Sequence, residues 1–153
     1  MRYCIDANFF IHLWRSYLSP EISSSFWDWL IKLSNKGIIF VPEEVFEEIA
    51  VGNDGLYAWL NKIKDRVFCD LNDSVQTALL NIVHLPNAIE LIDSNKRRHS
   101  ADVFLVAYAK AYDLTVVSDD TGVGRLCESC GVRNIKSFQF LKEQKLKLEI
   151  PKQ

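Results

Sequence analysis

The chain has 153 residues, 48% apolar and 25% charged, with a formal net charge of −2. That size and balance suit one globular domain with a real core, and exclude a largely disordered chain. No apolar run is long enough to cross a bilayer, and the near-neutral charge argues against holding long nucleic-acid duplexes by overall charge alone.

The first residues, Arg2 to Ile5, read as a short buried strand ending at Asp6. With the chain opening directly on a strand, no signal peptide is expected and a cytoplasmic location follows. From Asn8 to about Leu18, apolar residues at Phe9, Phe10, Leu13, Trp14 and Tyr17 have helical spacing, and Ser19-Pro20 stops them. Ser24 to Asn35 repeats the pattern with Phe26, Trp27, Leu30, Ile31 and Leu33, and Gly37 suits the stop. Ile38 to Val41 is a continuous apolar run, as in a strand covered on both faces. Pro42 then suits the first turn of a helix from Glu43 to about Ala50.

Residues 52–55 form a turn cluster, and Leu56 to Lys64 predicts a helix. Val67 to Asp70 is too short to assign. Asp73 or Ser74 could cap a helix through Val83; Pro86 interrupts, and Asn87 to about Ile92 predicts a short helix. Residues 94–99 read as a basic loop. Ser100 opens a helix burying Val103, Phe104, Val106, Ala107, Tyr108 and Ala111. Leu114 to Val117 is the next buried strand, and Gly122 to about Ser129 a short helix that Gly131 stops. Arg133 to Lys136 and the following Ser137 to Leu141 read as a last strand and a closing helix, with a solvated Lys-rich tail. Strands alternating with helices predict a single α/β domain, its parallel sheet covered on both faces.

There are four cysteines and three histidines. Cys127-Glu128-Ser129-Cys130 is a lone C-x-x-C with no second pair, so reduced, mostly buried thiols are expected rather than a zinc site or redox pair.

Four acids stand where strands or helices could carry them to one place: Asp6, Glu48, Asp102 and Asp120. In an open parallel sheet, ligands bind at the carboxyl ends of the strands, which is where Asp6 and Asp119-Asp120 lie. Each acid has a structural alternative. Asp6 could cap the next helix, Asp102 could stabilise the start of its own helix, and Glu48 could belong to a solvated face with Glu43, Glu44 and Glu47. Together they make sense if a cation neutralises them, and oxygen-only ligands favour Mg²⁺ or Mn²⁺.

These motifs occur in order: Asp-Ala-Asn after an N-terminal strand, Val-x-x-Glu-Ile after Val-Pro, Ala-Asp-x-x-Leu-Val-Ala-x-Ala, and Val-Val-Ser-x-Asp. In that order the chain resembles the PIN domains. The resemblance implies a three-layer α/β/α PIN-like fold with a central, mainly parallel sheet. It also implies a Mg²⁺- or Mn²⁺-dependent endoribonuclease, possible in the VapC type as the toxin of a toxin–antitoxin pair. The family's acids fall on Asp6, Glu48, Asp102 and Asp120, with Ser118 in the usual Thr place and Asn8 as the small polar residue after the first Asp. Asp119 and Glu47 are adjacent alternatives to Asp120 and Glu48. Residues 52–95 carry extra helical sequence, closer to an uncharacterised PIN subgroup than to the short toxins.

On this resemblance Asp6 and Asp102 bind the metal directly, and Asp120 and Glu48 bind through water or orient the attacking water. Cleavage leaves 5′-phosphate and 3′-hydroxyl ends. Lys96, Arg97 and Arg98 are candidates for the RNA backbone, and Trp14 or Tyr17 for base stacking. The aromatic first helices could instead form a homodimer face. An antitoxin is the other partner expected, and no membrane association is. A catalytically inactive PIN-like module that binds RNA or protein is the main alternative. A phosphotransfer receiver domain and a dehalogenase-type phosphatase fit less well, because Ala7-Asn8 rather than a second acid follows Asp6.

Overall fold

A strand in the middle of a covered parallel sheet must bury both of its faces, and Tyr3, Cys4 and Ile5 do so. The computed structural model describes residues 1–52, 54–93 and 97–146, with the backbone alone at 93 and 97–100. Its strands are β1 (Tyr3–Ile5), β2 (Ile39–Pro42), β3 (Phe68–Cys69), β4 (Thr115–Val117) and β5 (Asn134–Ile135). All pairings among them are parallel, in the order β3-β2-β1-β4-β5. Helices cover the sheet as three layers, in an α/β architecture.

Between β1 and β2 run α1 (Ala7–Trp14) and α2 (Ser24–Asn35). The segment from β2 to β3 holds α3 (Glu43–Ala50), α4 (Leu56–Lys62) and α5 (Lys64–Val67). From β3 to β4 run α6 (Asp73–Ile82), α7 (Pro86–Asp93) and α8 (Arg97–Tyr112). The chain closes with α9 (Thr121–Cys130) before β5 and α10 (Ser137–Glu143) after it.

One layer is aromatic. Tyr3 of β1 meets Phe140 of α10 edge-on at 4.9 Å, and Phe9 and Trp29 pack on the same Phe140. Trp27 then links Trp14 and Trp59 with ring centroids 4.9 and 4.8 Å apart. Cys4 points to the opposite face, where its thiol lies 3.9 Å from the Leu105 carbonyl of α8. There α6, α7 and α9 pack around α8. Helix α3 touches α1 and α4 on one side and α8 on the other.

Several element ends differ from the expectation, for local reasons. The first helix stops at Trp14, because the Ser16 hydroxyl donates to the Leu13 carbonyl and accepts from the Leu18 amide, turning the chain. Tyr17 is therefore 88% exposed rather than on an apolar helix face. Trp14 is anchored by its indole N–H to the Asp54 carbonyl at 2.9 Å, a structural use rather than a free stacking surface. The expected 56–64 helix breaks at Ile63 into α4 and α5. The unassigned stretch after it supplies the edge strand β3, paired through Val41 and Phe68. Asn72, not Asp73 or Ser74, caps α6, its Oδ1 accepting from the Val75 amide at 3.0 Å. Pro86 opens α7 rather than interrupting, as Pro at a first helical position can. Arg97 to Ser100 are helical, so α8 begins before the expected Ser100.

Candidate functional site

The chain lays β2 and β3 on one side of β1, then returns to lay β4 and β5 on the other. The connections after β1 and β4 therefore diverge, and in open α/β sheets the crevice at such a switch point, at the carboxyl edge, is where ligands bind. The first residues past those two strands are Asp6 and Ser118. They stand side by side, since Ile5 pairs with Val117 and the Asp6 amide donates to the Val117 carbonyl.

Asp6 is 3% exposed. Ser118 Oγ donates to its Oδ2 at 2.7 Å and accepts from the Asp120 amide at 3.2 Å. Asp6 stands at the N-cap position of α1 but makes no capping hydrogen bond into it. Burial raises its pKa; the Ser118 hydroxyl and the nearby amides of Ala7 and Asn8 oppose this, and the charge of Asp120 adds to it. A buried carboxylate whose charge is disfavoured in this way is a candidate site residue.

Asp102 comes to the same rim through α8. That helix ends at the amino edge of β4, so its N-terminal end lies at the carboxyl edge. Leu105 sits against Cys4. One turn back along α8, about 4.5 Å, is Asp102. Two residues on along β1, about 6.6 Å, is Asp6. Asp102 is 7% exposed and lies in the second turn of α8, so it is not the first-turn dipole partner that the sequence suggests as its alternative role.

Asp119 and Asp120 separate cleanly. Asp119 turns to α10, its carboxylate accepting from the Ser137 amide at 2.9 Å and hydroxyl at 2.7 Å. Asp120 caps α9, with Oδ1 accepting from the amides of Gly122 at 2.7 Å and Val123 at 3.2 Å. It remains close enough to act electrostatically on Asp6.

On α3, Val45, Phe46 and Ile49 are buried. Glu47 is exposed, and Glu48 is half-buried and engaged. Glu44, one turn before Glu48, is also half-buried, and its Oε2 is fully enclosed without a hydrogen-bond partner among the described residues. Burial raises its pKa, and the charges of Glu47 and Glu43 add to that. The glutamates of α3 are thus not one solvated face. Spacing of four residues from Glu48 is the signal that marks Glu44, since such pairs share a helix side.

Asn8 is half-buried in the first turn of α1, beside Asp6. Arg97 and Arg98 open α8 at the same edge, with only their backbone described; Lys96 lies outside the described residues. The cysteines are free. Burial pushes Cys69 and Cys127 up to about 12, which makes them poor thiolates.

Among the described residues, no three His, Cys, Asp or Glu side chains stand together as a ready metal cage. The donors still suit a hard cation, because Mg²⁺ keeps several waters and takes only one or two carboxylates from a protein. Buried Asp6 and Asp102 are such a pair in kind. Among the described residues no helix is long and apolar enough to cross a membrane. No curated protein matches the chain. A family model described as "Domain of unknown function (DUF4411)" matches residues 3–148, and the chain belongs to that family.

Proposed function

We propose that this DUF4411 member is a Mg²⁺- or Mn²⁺-dependent endoribonuclease with a PIN-like site, working on RNA in the cytoplasm. The observation that carries this is buried Asp6, held by Ser118 at the β1–β4 crevice with its pKa raised by desolvation and by Asp120. Burying such a carboxylate costs stability unless something positive comes to it.

Asp6 and Asp102 would hold the ion, and Asp120 and Glu48 would orient water around it. When bound, the ion supplies an acidified water and stabilises charge on the scissile phosphate. Ser118 fixes the Asp6 carboxylate through its hydroxyl and ties it to the Asp120 backbone. Arg97 and Arg98 begin α8 at the positive end of its dipole, where a cation does nothing for the helix. On this reading an RNA phosphate would be their partner. A toxin role with an antitoxin, and a homodimer, remain parts of the same proposal.

The use of Asp120 Oδ1 as the α9 cap favours a second reading, a PIN-like module that binds RNA or protein without cutting. Short RNAs incubated with Mg²⁺ or Mn²⁺ decide between them. Cleavage by the native chain that disappears in Asp6→Asn and Asp102→Asn supports the nuclease. Cleavage that survives in both variants would eliminate this site.

A further inference from the structure

One flank of the crevice carries a basic and aromatic strip that the acids do not use. Ser118 opposes Lys136 in the β4–β5 register, one step beyond the Val117–Ile135 pair. Lys136 is thus at the same rim as Asp6, two strands away, at a backbone distance of about 10 Å. Its Nζ rests on the Asp119 carbonyl at 3.1 Å, which points the ammonium toward the Asp119–Asp120 turn. The Asp119 carboxylate is spent on Ser137.

Two residues on, Phe138 is 71% exposed. Next along α10 comes Lys142, with Nζ 5.6 Å from the centre of the Phe138 ring. Neither lysine has an ion pair among the described residues. Apart from the Asp119 carbonyl under Lys136 and the Phe138 ring near Lys142, neither ammonium has a partner among the described residues, and the exposed Phe buries no core surface. This arrangement matches what a single-stranded nucleic acid needs, a flat ring for a base and ammonium groups for the phosphates on either side.

We infer that Lys136, Phe138 and Lys142 form a single-strand RNA track that leads from the outside of α10 to the acidic crevice. This rests on the nuclease proposal for its destination, but the track binds through its own groups. A base stacks on Phe138 while Lys136 takes the phosphate nearest the acids. The charge of the strip suits a polyanion and disfavours an apolar protein partner.

Fluorescence anisotropy tests it, using the full chain and a labelled single-stranded oligoribonucleotide in EDTA across a salt series. Phe138→Ala is expected to weaken binding roughly five- to hundredfold, and Phe138→Trp to keep it. Lys136→Gln lowers the slope of log affinity against log salt by about 0.7, and Lys136→Arg restores it. Native affinity in Phe138→Ala, an unchanged slope in Lys136→Gln, or a native chain that binds no oligoribonucleotide overturns the track. Mg²⁺-dependent cleavage is scored separately. Cleavage with an inert strip removes the track and leaves the nuclease; strip-dependent binding without cleavage supports the track and removes the nuclease.

Discussion

Ser118 Oγ stands 2.7 Å from Asp6 Oδ2, although 112 positions separate the two residues in the chain. The same hydroxyl accepts the Asp120 amide, so one small side chain sets the orientation of one acid and the backbone of another. Ser118→Ala leaves a buried carboxylate short of a donor, at a cost of about 1–3 kcal/mol. The Asp6 pKa then rises further, and the acid limb of any Mg²⁺-dependent pH–rate profile moves to higher pH. Ser118→Thr keeps the hydroxyl and should keep both the profile and the stability. An unmoved profile in Ser118→Ala would show that this bond does not govern Asp6.

Asp6→Asn removes a desolvated charge. Its melting temperature in EDTA should therefore rise by about 1–4 °C, while its cleavage with Mg²⁺ present falls by more than the roughly hundredfold typical of supporting groups around a metal. Added Mg²⁺ should stabilise the native chain by mass action and leave Asp6→Asn unmoved. Calorimetry with and without Mg²⁺ checks both signs, and an equal Mg²⁺ shift in the two proteins would place the ion elsewhere.

Adjacent Asp119 and Asp120 should behave differently. Asp119→Ala loses the bonds to Ser137 that hold the start of α10, costing about 1–2 kcal/mol as lost caps do, with cleavage per folded molecule preserved. Asp120→Asn keeps an amide oxygen for the α9 cap, so it should hold its stability yet lose cleavage. Paired denaturation and activity assays separate the two; the reverse pattern would exchange their roles.

Glu44 supplies a pH test. Its folded pKa is raised above the ordinary 4.5 by burial, and its Oε2 has no hydrogen-bond partner among the described residues. A carboxyl with a raised folded pKa destabilises the fold when ionised. That cost is absent below the ordinary value, grows as pH rises through the folded value, and is complete above it. Glu44→Gln should therefore match the native melting temperature at pH 4 and exceed it at pH 7.5. A difference that is the same at both pH values would assign the effect to packing instead.

Phe140 joins Tyr3, Phe9 and Trp29 into one contact, so it closes α10 on the sheet. Phe140→Ala should cost about 3–5 kcal/mol in urea unfolding. Phe138→Ala, two residues away and exposed, should cost little, which separates the core face of α10 from its exposed side.

The sequence by itself determined the layered α/β fold. Runs such as Tyr3-Cys4-Ile5 and Thr115-Val116-Val117, rich in β-branched and aromatic residues, fit strands covered on both sides, and the apolar spacing between them is helical. Local chemistry was equally plain at Gly37 and Gly131, whose positive φ ends a helix as their position suggested. Asp6, Asp102 and Asp120 could be nominated, because a carboxylate beside a buried run needs a reason. What a linear pattern could not supply was direction. Asp119 and Asp120 are neighbours of the same type, and only the approach of α10 turned one toward Ser137 and left the other near Asp6. Spacing from Glu48 puts Glu44 on the same helix side, but its enclosure depends on what packs against α3, α8 among others, which spacing alone does not state. Strand order, too, was a tertiary outcome: long-range pairing set β1 beside β4, and so made one site of Asp6 and Ser118.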